Sequence, residues 1–173
     1  MWRPPASPSR TNMRNKLILA ALAAFFALGL SAQNLPDARL VDAAGKTVDT
    51  RSLIDGKTPF VVTFWASWCK PCQKELAALT EIAPDWEGKF PLRIYAIGVD
   101  DSRSLSRAKA LAASSGWPVT VLYDTNQNMM RTLNISSIPH VFVYDKNGKQ
   151  VYSHTGYIPG DEETLLQKLL EAK

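Results

Sequence analysis

Cysteine is scarce in this chain, with two residues in 173, Cys69 and Cys72, separated by only two others. Histidine is as rare, at His140 and His154. These four side chains could in principle hold one metal ion, but thirteen residues separate the histidines, where a zinc finger has three to five. Beyond residue 32 the chain also lacks any excess of positive charge. Arg3, Arg10, Arg14 and Lys16 are four of the 20 basic residues, which leaves 16 against 16 acidic ones. The pI near 9.1 therefore belongs to the first 32 residues. A balanced chain without a basic cluster offers no electrostatic footprint for nucleic acid or a membrane surface. Repeats and low-complexity tracts are missing as well, and about 140 residues suffice for one core.

The early residues have their own pattern. From Met13 the chain reads "MRNKLILAALAAFFALGLSAQ", a charged start, an apolar stretch from Leu17 to Leu30 and a small-residue exit at Ser31-Ala32. That is the layout of a secretory signal. The apolar stretch is short for a hydrocarbon core of about 30 Å, which favours a cleaved signal over a retained anchor. No cysteine lies near Ser31, so lipid attachment there is excluded. Residues 1–12 make a poor signal start and place Met13 as an alternative initiator. Residues 1–32 are read as leader, residues 33–173 as the domain, and the expected location is periplasmic.

Within 33–173 the hydrophobic pattern alternates between two periods. "ARLVDAAGKTVDTRSL" has a Gly-Lys turn between short alternating pieces, a small N-terminal hairpin. "FVVTFWA" (60–66) is apolar on both faces and β-branched, as a central strand covered on both sides requires. A helix is expected from about Cys69 to Ala83, ended by Pro84. A strand follows over 90–100, then an amphipathic helix over 102–116 closed by Gly116. A strand at 119–124 and a short helix at 127–134 come next. After Pro139 two strands meet at Asn147-Gly148, a strong hairpin signal. The last helix starts near Asp161, with acids at its beginning and Lys168 and Lys173 further on, matching the helix dipole. Strand–helix alternation implies parallel pairing, and the hairpin adds antiparallel strands at one side. The fold class is α/β, a mixed sheet flanked by helices.

A C-x-x-C after a buried strand, at the start of a helix, has a chemical meaning. Cys69 sits among backbone N–H groups without helical partners, at the positive end of the dipole, which favours thiolate. Lys70 adds a cation, and Pro71 suits a first helical turn. Cys72, one turn on, faces inward. An exposed attacker with a shielded second thiol is the pair that disulfide exchange needs. Trp68 beside them is either an apolar docking surface or an ordinary half-buried aromatic. Three other readings of the cysteines stay open: a structural disulfide, whose small loop constrains the unfolded chain little; a metal site; and a thiol peroxidase.

"VVTFWASWCKPCQKEL" resembles the thioredoxin active-site stretch, and "SSIPH" (136–140) resembles that fold's second landmark. With the leader, the N-terminal hairpin, an inserted strand–helix segment at about 102–134 and Glu75, the chain is similar to the TlpA/ResA type of exported thiol–disulfide oxidoreductase over nearly all of 34–173. The resemblance implies a thioredoxin-like fold with Cys69 as nucleophile and Cys72 as resolving thiol, cycling through a Cys69–Cys72 disulfide. It implies Pro139 as a cis proline, with the backbone at Ile138 pairing to an extended substrate segment. It further implies protein disulfides as substrates, re-reduction by an inner-membrane electron donor, a monomer without metal or other cofactor, and a reducing role such as cytochrome c maturation.

One departure from the family pattern matters, and two competing functions lack their own signatures. Thioredoxins proper carry a buried acid six residues before the first cysteine, where this chain has Thr63. Glu75 is the alternative proton acceptor for Cys72, about 60° around the helix from it; otherwise it is a solvated early-helix glutamate. His140 is read as a packed strand residue more than as a neighbour of the dithiol, and His154 carries no signal. A peroxidase of this fold has threonine three residues before its attacking cysteine, where Ala66 stands. A copper metallochaperone of this fold has a wider cysteine spacing and lacks the proline of WCxPC.

Overall fold

The computed structural model describes residues 33–87 and 91–173. The expected leader over 1–32, and the expected start of a strand at Phe90, lie outside the described residues. Among the described residues, seven strands form a single sheet. They are β1 (Arg39–Val41), β2 (Thr47–Asp49), β3 (Phe60–Trp65), β4 (Ile94–Gly98), β5 (Thr120–Tyr123), β6 (His140–Tyr144) and β7 (Gln150–Thr155). The helices are α1 (Lys70–Glu87), α2 (Leu105–Ser115), α3 (Asn128–Thr132) and α4 (Asp161–Glu171), and a 3-10 turn spans Thr50–Leu53.

Spatial order is β2-β1-β5-β4-β3-β6-β7. β3, β4 and β5 run parallel, because helical crossovers return the chain to the same sheet end. β6 pairs antiparallel with β3, and β7 with β6. The N-terminal hairpin joins the opposite edge, through β1 against β5. Antiparallel strands thus occupy both edges, where the sequence placed them at one. All six residues of β3 are buried, as its run of apolar and β-branched residues on both faces requires. One core cluster includes Leu40, Phe64, Trp65, Leu76 and Ile97, and a second gathers Val61, Leu79, Val143, Leu166 and Leu169 beneath α4.

One expected boundary is corrected. Pro84 does not end α1, which continues through it to Glu87. Pro84 is exposed, while Ile82 and Trp86 pack against the second cluster. Apolar burial on that face offsets the backbone bond that proline cannot make. Gly116 ends α2 at φ 64°, the left-handed cap glycine adopts without strain. At Gly148, φ is 79°, a left-handed conformation that favours glycine in the β6–β7 turn, and a Cβ there would displace the Ile54 Cδ1 methyl.

Candidate active site

β3 ends at Trp65, and Ala66, Ser67 and Trp68 carry the chain into Cys69. The buried carboxylate of Asp100, just beyond β4, fixes this short loop. It accepts from the Ser67 backbone N–H at 2.8 Å and from Ser67 Oγ at 2.6 Å. Gln73 Nε2 donates to the Ser67 carbonyl at 2.9 Å, and the Val99 N–H donates to the Trp65 carbonyl at 2.9 Å. The pairing of Ser67 with Asp100 spans 33 positions, and sequence reasoning missed it; the only local sign is an acid closing an apolar strand.

Cys69 precedes the first helical residue, and its carbonyl accepts the Gln73 N–H at 3.2 Å. It stands at the helix N-cap position, where orphan N–H groups converge. One of these, from Cys72, donates to Cys69 Sγ at 3.2 Å. Such a donor favours negative charge on sulfur once the pair is reduced. Cys69 and Cys72 are joined as a disulfide with Cα atoms 5.4 Å apart. The expected contrast in exposure is largely absent in this oxidised form. Cys72 is fully buried and Cys69 only 5% exposed. Trp68 is 60% exposed, so it is a free apolar surface and not a half-buried core aromatic.

Pro139 is buried and follows Ile138 through a cis peptide bond. The antiparallel register pairs His140 with Phe64, so Pro139 lies at the sheet end from which the chain enters the cysteine loop. The Pro139 carbonyl is taken by the Gly156 N–H at 2.8 Å. Ile138 is half-buried against the first core cluster. His140 Nε2 lies 3.0 Å from Ser153 Oγ, and its Nδ1 2.9 Å from Thr155 Oγ1. The ring also packs on Phe142, with centroids 4.5 Å apart. Burial and the nearby His154 hold the His140 imidazole below its usual range. It is a packed strand histidine, occupied by two hydroxyls.

Glu75 lies one turn beyond Cys72 on α1 and is 4% exposed. The expected position at the edge of the buried face understates this. Thr63 Oγ1 donates to Glu75 Oε2 at 2.6 Å, so the threonine standing where thioredoxins have their acid is bonded to a buried acid of the helix. Burial pushes the Glu75 carboxyl up to about 7; the Thr63 hydrogen bond opposes the shift and the charge of Asp161 adds to it. A carboxyl balanced near neutrality can both take and return a proton. His154 Nε2 lies 3.3 Å from Asp161 Oδ2. Among the described residues, no group of three or more His, Cys, Asp or Glu side chains converges as a metal site.

Residues 32–153 match the AhpC/TSA family. The chain is 30% identical over 116 residues to the thiol-disulfide oxidoreductase ResA of Bacillus thuringiensis, a match that covers 67% of this chain and 64% of that one. With ResA of Geobacillus kaustophilus it shares 32% identity over 165 residues, 84% of this chain and 88% of the relative. Its fold is similar to that of an uncharacterized thioredoxin-like protein from Porphyromonas gingivalis, with TM-score 0.70 and 40% identity over 80% of this chain and 90% of that one. A C-x-x-C disulfide at a helix start and a cis proline at the same end of the sheet agree with these likenesses: the chain belongs to the AhpC/TSA family, among its ResA-like members of thioredoxin fold.

Proposed function

We propose that this protein reduces disulfide bonds in protein substrates outside the cytoplasm, by dithiol–disulfide exchange through Cys69 and Cys72. The observation that carries this is the Cys69–Cys72 disulfide at the start of α1, with the buried carboxyl of Glu75 one turn behind it. The Cys69 thiolate attacks one sulfur of the substrate disulfide and forms a mixed disulfide, and the other substrate sulfur leaves as thiolate. Glu75 takes the Cys72 proton. The Cys72 sulfur then attacks Cys69, closes the enzyme disulfide and releases the second substrate thiol. Two electrons pass from enzyme to substrate, and an electron donor at the inner membrane restores the dithiol.

Trp68 serves as an apolar contact for the substrate, and the backbone at Ile138, next to Pro139, pairs with its extended segment. The leader pattern of residues 13–32 supports a periplasmic location. Among the described residues no helix is long and apolar enough to cross a membrane. Apocytochrome c is the substrate we favour, on the strength of the ResA resemblance, with the enzyme acting as a monomer. Equilibration with glutathione or dithiothreitol buffers tests direction. A reductant has a potential near the roughly −270 mV of thioredoxin, whereas a value near the roughly −120 mV of DsbA makes the protein an oxidant and overturns the proposal.

A further inference from the structure

Resting on that reading, Glu75 must gain and lose a proton in every cycle, yet its side chain is nearly sealed from solvent. A cavity of about 10 Å³ adjoins it, lined on its polar side by Glu75, Tyr152 and His154 of β7, and Asp161 and Glu162 of α4. That is about the smallest space that holds one water, and the walls supply the two to four polar partners a buried water requires. At the far side, His154 and Asp161 are 38% and 25% exposed, so this pair reaches bulk solvent.

The carboxylates are held in place. Asp161 Oδ2 accepts the Ile158 N–H at 2.8 Å, and Glu162 Oε2 accepts Tyr157 Oη at 3.0 Å and the Gly160 N–H at 3.1 Å. The groups around Glu75 are thus Thr63 from β3, Tyr152 and His154 from β7, Tyr157 from the following loop, and Asp161 and Glu162 from α4, with Cys72 one turn back on the same helix. Of these, His154 alone is an imidazole, and its pair with Asp161 reaches solvent.

We propose that His154, paired with Asp161, is the proton outlet of Glu75: one water in the cavity carries the proton from the carboxyl to the imidazole, which releases it to solvent. The O–H bond of the Glu75 carboxyl breaks as the water takes that proton and gives one of its own to the ring. Asp161 stabilises the imidazolium, and no electrons move. The reverse path reloads Glu75. His154 acts through Glu75 and touches neither sulfur, so it is a positioning and relay residue.

The test pairs single-turnover release from a preformed Cys69 mixed disulfide with steady-state reduction of a disulfide substrate, in the full domain, for the parent, His154→Ala, His154→Gln and Glu75→Gln between pH 6 and 9. The expected result is that both His154 variants resolve the first turnover at the parental rate but turn over roughly 10-fold more slowly in the steady state, where Glu75 must be emptied in every cycle; this is below the usual ~10²–10⁴-fold of direct proton-transfer assistance. Alkylation of Cys69 by iodoacetamide stays at the parental rate, and added imidazole restores His154→Ala. Parental steady-state turnover in both His154 variants, with Glu75→Gln slow, overturns the outlet and leaves the role of Glu75 intact. A slow His154→Ala that imidazole does not restore also overturns it, because the residue is then only structural. Parental resolution in Glu75→Gln overturns the underlying reading as well, so the two failures are told apart.

Discussion

Thr63 and Glu75 form a buried couple: the threonine hydroxyl donates to the carboxylate at 2.6 Å, linking the central strand β3 to the helix that bears both cysteines. Both residues are buried, Thr63 fully and Glu75 to 4% exposure. Hydrogen bonds to charged groups contribute about 1.5–3 kcal/mol, and here the donor favours the charged carboxylate against burial.

Thr63→Val retains the shape of the side chain and removes the donor. The Glu75 carboxyl then titrates above its present value of about 7, by roughly one to two units if the full strength of the bond is lost. Carbonyl-stretch infrared titration of the oxidised protein, with Glu75→Gln as the blank, reads this directly. An unmoved midpoint means that the hydroxyl does not stabilise the carboxylate.

The same carboxyl makes stability depend on pH with a definite sign. Its folded value, about 7, lies above the ordinary 4.5, so the folded state holds this proton more tightly than the unfolded chain. The contribution is complete below about pH 4.5 and is lost as pH rises through 7, by roughly 3 kcal/mol in total. Urea midpoints of the oxidised parent minus those of Glu75→Gln, taken from pH 4 to 8, should therefore fall with rising pH. A flat difference places Glu75 in solvent.

Much of the fold was legible in local pattern. The apolar, β-branched run at Phe60–Trp65, the Asn147-Gly148 turn and the acid-led helix at Asp161–Glu171 each carry their signal within a few residues. The length of α1 did not, because what carries the helix past Pro84 is the packing of Ile82 and Trp86 against distant residues. Similarly, the two cysteines advertise themselves, whereas the depth of Glu75 depends on Thr63, twelve positions earlier, and on α4, which arrives last. His154 gave no sign of its place. Alternation along β7 puts it on the face of Tyr152, but only the packing of α4 brings Asp161 to it.

Catalysis should show the same titration as stability. If Glu75 accepts the Cys72 proton as carboxylate, resolution of the mixed disulfide rises through pH 7, the point about which Glu75 ionises. Glu75→Gln keeps the fold, loses that inflection and resolves more slowly, by ~10²-fold or somewhat less. A parental rate between pH 6 and 9 in stopped-flow assays of disulfide reduction makes the residue merely a buried acid.

Ser67→Ala tests the loop. It deletes the 2.6 Å hydroxyl bond to Asp100 and leaves a buried carboxylate short of one donor, at a cost of about 1–3 kcal/mol. Thermal denaturation should register that loss, and iodoacetamide should find Cys69 less reactive in the reduced protein as its position loosens. Unchanged stability would mean that the backbone N–H of Ser67 satisfies Asp100 alone.

The division of labour between the cysteines is the sharpest test of the site. Cys72→Ser leaves the attacking sulfur at the helix start but removes the thiol that releases product, so the enzyme should accumulate as a mixed disulfide with its substrate. The adduct appears on a non-reducing gel and disappears with dithiothreitol. Cys69→Ser should form no adduct at neutral pH. Its remaining sulfur belongs to a fully buried residue, lies one turn inside the helix and lacks the N–H that Cys72 directs at Cys69 Sγ, so thiolate is disfavoured there. Burial alone does not decide the asymmetry, because Cys69 is itself only 5% exposed when oxidised; the helix terminus and the Cys72 N–H must supply it. A purely structural disulfide would instead give two destabilised variants and no adduct from either. Equal iodoacetamide rates for the two reduced single variants at pH 7 would remove Cys69 from the role of nucleophile.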